Sequence, residues 1–216
     1  MKLALLVDFD GTVTERDVGV MLLDAFAQED WHRYERMFRE GRVSLRECVT
    51  REYSSLPSER DMLTRFAVEN AVIRPGFQQL VSHCREQDIP LTVVSGGLGF
   101  YIQAILAHHG LAGIPVVSGH ADFTNGNRVR MDWDSGTVVC DLTGVCKCYY
   151  VLECASNGYK VGFIGDGSSD TCTADKADYV FARSRLQAHC EANGIPFFPF
   201  NDFHDVLSRL RALEEV

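Results

Sequence analysis

Leu3-Ala-Leu-Leu-Val7 runs straight into Asp8-Phe9-Asp10-Gly11-Thr12 near the start of the chain. Consecutive apolar residues without polar alternation read as a short strand buried on both faces, the kind a parallel sheet uses. The run stops at Asp8 and no small-residue cleavage site follows, so a buried strand is a better reading than a secretory leader. Working outward, similar runs stand at residues 91–94, 114–117, 161–164 and 179–181. Helical stretches separate or follow them, at residues 76–87, 98–109, 147–157, 169–177, 184–193 and 202–213. This alternation predicts an α/β fold built on a doubly wound parallel sheet.

Residues 15–72 break the pattern, because they hold no strand-like run. Val18, Met21, Leu22, Ala25 and Phe26 recur at helical spacing, and Trp31, Tyr34 and Phe38 do so again. Ser44-Leu-Arg-Glu47 and Ser58-Glu-Arg-Asp61 both read as capping boxes that open helices. The start signals count to about four helices, inserted directly after the first strand. Arg74-Pro75-Gly76 marks the return to the sheet. The expected organisation is a core of residues 1–14 and 73–216 with an all-helical insertion at 15–72. Within the core, Asn125-Gly126 between two β-prone runs predicts a hairpin over residues 120–133 with a two-residue turn.

The chain has 216 residues, 46% of them hydrophobic and 24% charged, with a net charge of −9. That is ordinary globular composition, so wholesale disorder is excluded. The negative field disfavours nucleic acid as a partner. No segment is apolar for long enough to make a membrane helix. The eight cysteines show no framework spacing, and Cys146-Lys147-Cys148 is not a C-x-x-C motif. They read as reduced thiols in a cytoplasmic protein; a zinc site drawn from Cys140, Cys146, Cys148 and a distant His is the alternative. His108, His109 and His120 read as ordinary surface or packed histidines. Oligomeric state is not readable.

Four short pieces place polar groups just after an expected strand, at the carboxyl edge where open parallel sheets bind ligands. In the first, Asp8 and Asp10 stand two apart, and strand alternation would point them to the same side. In the second, Ser95-Gly96-Gly97 offers a hydroxyl and unhindered amides at a helix mouth, which suits an anion. In the third, Lys147 stands at a helix start, where the macrodipole disfavours a cation unless an anion is near. The fourth, Gly165-Asp166-Gly167-Ser168-Ser169-Asp170, puts two more acids past a strand. Four converging acids need a counter-ion, and an all-oxygen set with a nearby phosphate fits Mg²⁺. The implied chemistry is phosphoryl transfer to a carboxylate, then hydrolysis.

Taken in order and spacing, these four pieces resemble the four motifs of haloacid-dehalogenase-superfamily phosphatases. The helical insertion resembles the cap of the subfamily that includes phosphoserine phosphatase. The likeness spans nearly the whole chain. It implies a Rossmann-like core, Asp8 as nucleophile and Asp10 as general acid and base. It further implies Mg²⁺ held by Asp8, the Asp10 carbonyl and Asp166, with Asp170 in support. By the same likeness, Ser95, the Gly96 amide and Lys147 would grip the phosphoryl group, and Thr12 would orient the loop. Ile73-Arg-Pro-Gly-Phe, Asp122-Phe-Thr, Gly144-Val-Cys-Lys-Cys, Val180-Phe-Ala-Arg and Pro199-Phe-Asn-Asp-Phe-His-Asp-Val resemble the methionine-salvage phosphatases within that subfamily, which implies 2-hydroxy-3-keto-5-methylthiopentenyl-1-phosphate as substrate. The stretch 133–145 departs from that pattern.

Phosphoserine or another small phosphate is the alternative substrate. Asp17 stands where the phosphoserine enzymes carry the acid that holds the substrate's ammonium. The position of their carboxylate-binding Arg falls on Glu52, with Arg42, Arg46 and Arg51 as substitutes. Asp17, Met21, Phe26 and these arginines are the candidates for facing the substrate. Two other classes of function stand against these readings. A receiver-like phospho-acceptor domain would share the paired acids and the Lys, but not the insertion or Asp10. A binding protein that has lost activity finds no support, since every motif acid is present.

Overall fold

The structure is a computed structural model that describes residues 2–214 apart from 125, 134 and 142. In chain order the elements are β1 (Leu3–Val7), α1 (Val18–Phe26), α2 (His32–Arg39), α3 (Leu45–Tyr53), α4 (Arg60–Asn70), α5 (Phe77–Glu86), β2 (Leu91–Leu98), α6 (Gly99–His108), β3 (Val116–Asp122) and β4 (Arg130–Asp132). There follow β5 (Val139–Cys140), β6 (Gly144–Val145), α7 (Lys147–Ser156), β7 (Lys160–Gly165), β8 (Tyr179–Ala182), α8 (Ser184–Asn193), β9 (Phe198–Pro199) and α9 (Phe203–Glu214). The main sheet has the order β4-β3-β2-β1-β7-β8-β9, and all its pairs are parallel except β3 with β4.

β1 is the central strand because all five of its residues are apolar and buried. Its alternation feeds two cores. Leu5 and Val7 pack with Phe77, Leu80, Ile102, Ile105 and Phe203 of α5, α6 and α9. Leu6 packs on the opposite face with Val151 and Leu186 of α7 and α8. The chain winds outward from β1 through β2 and β3, then returns to β7 on the other side. The switch in direction opens a crevice at the carboxyl end of β1.

α1–α4 occupy the insertion. Ser44 caps α3 by accepting from the Glu47 amide (3.1 Å). Ser58 does not cap α4: that helix starts at Arg60 after Glu59, and the Ser58 amide donates instead to the Asn127 carbonyl (3.2 Å). The hairpin expected over residues 120–133 is present as β3 and β4, in a different register from a two-residue turn. β3 pairs with β4 as Ala121↔Met131 and Asp122↔Arg130, one residue out of the register a turn at 125–126 requires. Asn125 itself lies outside the described residues. Thr124 bends away by donating its amide (2.7 Å) and hydroxyl (2.6 Å) to Asp122 Oδ1. The second limb pairs with the insertion through Pro57↔Arg128 and the Val129 amide to Leu56 carbonyl (3.1 Å). The helix expected at 169–177 is a single 3₁₀ segment, Ser168–Thr173, because Asp170 ties back to the amides before it rather than continuing the spiral.

Where the chain leaves and re-enters the sheet, Thr14 bridges Ile73. Arg74, 7% exposed, knots this crossing. Its guanidinium donates to the carbonyls of Thr12 (2.8 Å), Gly11 (2.8 Å) and Thr14 (3.2 Å).

Candidate active site

β1 continues one residue past its end: the Asp8 amide donates to the Ile164 carbonyl of β7 (2.9 Å). The chain then turns. Phe9–Val13 form a π-type turn, closed by the Thr14 amide on the Phe9 carbonyl (3.0 Å). Gly11 sits at φ +79°, and a Cβ there would stand 2.8 Å from Asp166 Oδ2. Both the left-handed backbone and the close approach require glycine.

The turn separates the two acids of the first motif. Strand alternation would have put them on one side, but a strand's period does not survive a turn. Asp8 faces Lys147, whose ammonium donates to Asp8 Oδ1 (2.6 Å), Asp170 Oδ1 (2.5 Å) and Ser169 Oγ (3.3 Å). Asp10 takes different partners. Its Oδ1 accepts from the Val18 amide at the start of α1 (3.0 Å), and its Oδ2 from the Tyr101 hydroxyl (2.8 Å), with Ser95 Oγ at 3.4 Å. The expected quartet of side chains is therefore a trio. Oxygens of Asp8, Asp166 and Asp170 lie within 4.8 Å of one another, and the Asp10 carboxyl is elsewhere.

Within the trio the roles differ. Asp170 is fully buried and spends both oxygens on protein: Oδ1 on Lys147, Oδ2 on the amides of Asp166 (3.0 Å) and Gly167 (2.8 Å). Asp166 accepts from Thr12 Oγ1 (2.8 Å). Thr12 thereby ties the turn after β1 to the segment past β7. Lys147 is only 1% exposed, and its side chain stays charged because two carboxylates flank it. One ammonium among three acids leaves an excess of negative charge in a dry pocket. Burial and repulsion from Asp170 accordingly push the Asp8 carboxyl well above its ordinary range, against the pull of Lys147. Burial also raises Asp166, with the Thr12 bond opposing. An all-oxygen donor set with unbalanced negative charge fits a hard divalent cation.

Asp10 has no cation in contact. Burial, then repulsion from Asp17, pushes its carboxyl up to about 7, against the bonds from Tyr101 and Val18. A carboxyl near neutrality is poised both to give and to take a proton. Ser95 is 1% exposed and also accepts from the Gly97 amide (3.0 Å). β2 runs on through Ser95-Gly96-Gly97, with a register shift between Val94 and Leu98. A Cβ on Gly96 would meet nothing within 4 Å, so its backbone borders open space.

Of the candidates in the insertion, Asp17 alone approaches the acids: it caps α1 through the Val20 amide (2.8 Å) and adds its charge beside Asp10. Arg42 pairs with Glu40 (2.5 Å), Arg46 with Asp141 (2.7 Å) and Arg51 with Glu47 (2.5 Å). Met21 is buried in the core, and Phe26 stacks on Phe66. The reading of the residues missed Tyr101 and Tyr53, whose hydroxyls lie 3.4 Å apart. A signal existed for Tyr101. It stands in the first turn of the helix after Ser95-Gly96-Gly97, and helical side chains lean toward the N-terminus. Neither the cavity of about 480 Å³ between β9 and α9 nor that of about 600 Å³ beside Arg51 and Arg128 is lined by any of these acids.

The family model for haloacid dehalogenase-like hydrolases matches residues 5–175. The chain is 36% identical to a 2-hydroxy-3-keto-5-methylthiopentenyl-1-phosphate phosphatase of Brevibacillus brevis, over 99% of this chain and 97% of that one. It is 33% identical to the protein of the same name from Geobacillus thermodenitrificans, over 100% of this chain and 98% of that one. Among solved structures it is similar in fold to a phospho-aspartyl intermediate analogue of phosphoserine phosphatase, with a TM-score of 0.69, 17% identity, and 96% and 98% of the two chains covered.

Proposed function

The chain belongs to the haloacid dehalogenase-like hydrolases and is a phosphoric monoester hydrolase, and on that premise we propose that it dephosphorylates a small metabolite through an aspartyl-phosphate with Mg²⁺ as cofactor. The substrate we propose is 2-hydroxy-3-keto-5-methylthiopentenyl-1-phosphate, the compound in the names of its relatives. The observation that carries the reading is that two acids of one turn take different partners, Asp8 the Lys147 ammonium and Asp10 the Tyr101 hydroxyl and the Val18 amide.

Asp8 attacks phosphorus, and the bond from phosphorus to the ester oxygen breaks. Asp10 gives its proton to the departing oxygen. Asp10, now a carboxylate, then takes a proton from water as that water attacks the aspartyl-phosphate. Phosphate leaves and Asp8 is restored. Lys147, Ser95 and the Gly96 amide steady the phosphoryl oxygens, while Asp170 keeps Lys147 charged and aimed. Asp8, Asp166 and the Asp10 carbonyl would hold Mg²⁺, which when bound offsets the negative charge of acids and phosphate. Residues 15–72 act as a cap over the core formed by 1–14 and 73–216, excluding water during transfer. The thiols, none in a disulfide, suit the cytoplasm.

Phosphoserine is the poorer substrate on this reading, because Arg42, Arg46 and Arg51 all pair away from the acids. A panel of the methionine-salvage phosphate, phosphoserine and other small esters, each with and without Mg²⁺, tests the proposal through kcat/KM. The methionine-salvage ester should rank first. Preference for phosphoserine would overturn the substrate, and an absence of Asp8-dependent turnover on every ester would overturn the reading itself.

A further inference from the structure

Asp10 ends a row of hydroxyls that crosses from the insertion to the sheet domain. Tyr101, in the first turn of α6, donates to Asp10 Oδ2 at 2.8 Å. Tyr53, the last residue of α3, has its hydroxyl 3.4 Å from that of Tyr101. Both rings are buried, Tyr101 completely and Tyr53 at 7% exposure. The two hydroxyls occupy slots that glycines leave open. A Cβ on Gly97 would lie 2.0 Å from the Tyr101 oxygen and 2.3 Å from Asp10 Oδ2, and one on Gly19 would lie 2.3 Å from the Tyr53 oxygen. Hydrophobic packing alone has no use for a buried phenol at either place. Phe would fill the same volume without a polar atom that must be paired.

We infer that Tyr101 is a positioning residue for proton delivery by Asp10 to the leaving group, and that Tyr53 makes that positioning depend on the seating of the helical insertion. The inference rests on the proposed role of Asp10. A carboxyl on a turn beside Gly11 has a soft torsion, and a leaving oxygen must meet the correct oxygen of the pair at hydrogen-bond distance. The Val18 amide and the Tyr101 hydroxyl hold one oxygen each, so the carboxyl plane is set by two donors. Ser95 alone, at 3.4 Å, is too distant to replace the phenol. The Tyr53 hydroxyl, 3.4 Å from that of Tyr101, links the phenol that holds Asp10 to α3. Val18 and Tyr53 both belong to the insertion. The acid is therefore fully oriented only when the insertion sits against the sheet domain, which ties protonation of the leaving group to exclusion of water.

The test compares the full chain with its Tyr101→Phe, Tyr53→Phe and Asp10→Asn variants in saturating Mg²⁺. kcat/KM is measured for p-nitrophenyl phosphate, whose leaving group departs without a proton, and for benzyl phosphate, whose leaving group needs one. Tyr101→Phe should lower kcat/KM for benzyl phosphate by ~10- to 100-fold and for p-nitrophenyl phosphate by less than ~3-fold. Tyr53→Phe should show the same ordering with a smaller loss, and Asp10→Asn the same ordering with a larger one. Equal losses on both esters for Tyr101→Phe, or no loss on either, would overturn the inference. If Asp10→Asn itself fails to discriminate between the esters, the reading of Asp10 as proton donor falls and takes the inference with it. Should Tyr101→Phe not fold, as judged by near-ultraviolet circular dichroism, Tyr53→Phe decides: discrimination supports the inference and its absence defeats it.

Discussion

Asp8 and Asp10 share one turn, yet the floor of the site around Asp8 and its flank around Asp10 are built on different physics. The floor is all core: Asp8 from the end of β1, Lys147 from the start of α7, and Asp166 and Asp170 past the end of β7. Its members are locked by charge, with Lys147 between two carboxylates at 2.6 and 2.5 Å. The flank draws on both parts of the chain, and neutral donors hold Asp10 there: a peptide amide and a phenol. Burial raises both carboxyls, but Asp8 has the Lys147 ammonium in contact while Asp10 is held by neutral donors. On the proposed mechanism the same residue type does two jobs because the turn gives the two copies different partners.

The largest effect that can break this contrast is Asp8→Asn. Losing the proposed nucleophile should cost roughly 10⁴-fold or more in kcat on every ester, regardless of leaving group. A loss that varied with the leaving group would mean that Asp8 and Asp10 share a role. This is checked by steady-state kinetics on aryl and alkyl phosphates.

Lys147→Met probes the floor as a charge lattice. Removing the buried ammonium leaves three acids without a counter-charge and should destabilise the metal-free protein by about 3–5 kcal/mol. Urea unfolding measures it. Asp10→Asn should show no such loss, since Asp10 has no ionic partner to strand. A similar cost for both would erase the distinction between floor and flank.

Metal and pH sharpen it further. Without metal, Asp8, Asp10 and Asp166 all sit above their ordinary range, so the folded state holds protons that the unfolded state has released. Stability of the metal-free protein should therefore fall as pH rises from about 4 to about 7, the window that the Asp10 value marks. Saturating Mg²⁺ should add about 3 kcal/mol at 100-fold excess over its Kd, with a larger gain in Tm near pH 8 than near pH 5. Calorimetry at the two pH values checks the sign. An equal gain at both would place the metal away from these carboxyls.

The smallest effect concerns the outer contacts of the insertion. Arg46 reaches Asp141 at 2.7 Å from a largely exposed carboxylate and lies over the Trp133 ring. Arg46→Ala should cost less than about 1 kcal/mol and leave the ratio of benzyl to p-nitrophenyl turnover unchanged. A shift in that ratio would show that surface pairs, and not only the Tyr53–Tyr101 contact, govern the flank.

What could be read in advance followed local rules. β1 and α8 fall where apolar runs and helical stretches were expected, at Leu3–Val7 and Ser184–Asn193. Ser44 caps α3 as its spacing implies. What could not be read depended on distant partners. The hairpin of β3 and β4 followed its turn signal, but its second limb also pairs with Leu56 and Pro57, far away in sequence. Ser58 is drawn into that same pairing and loses its cap. Asp170, one more acid past a strand in the sequence, proves to have both oxygens bound to protein.

The sequence alone determined the α/β alternation, the helical insertion and the set of acids, hydroxyl and lysine at the sheet edge. These depend on periodicity and on residue chemistry, which are local properties. Only the tertiary structure decided which partners each acid takes, which of them share a counter-charge, and that Tyr101 meets Asp10 while Tyr53, from a separate part of the chain, meets Tyr101. Those depend on where a turn sends a side chain and on what the fold brings beside it, and no spacing along the chain encodes either.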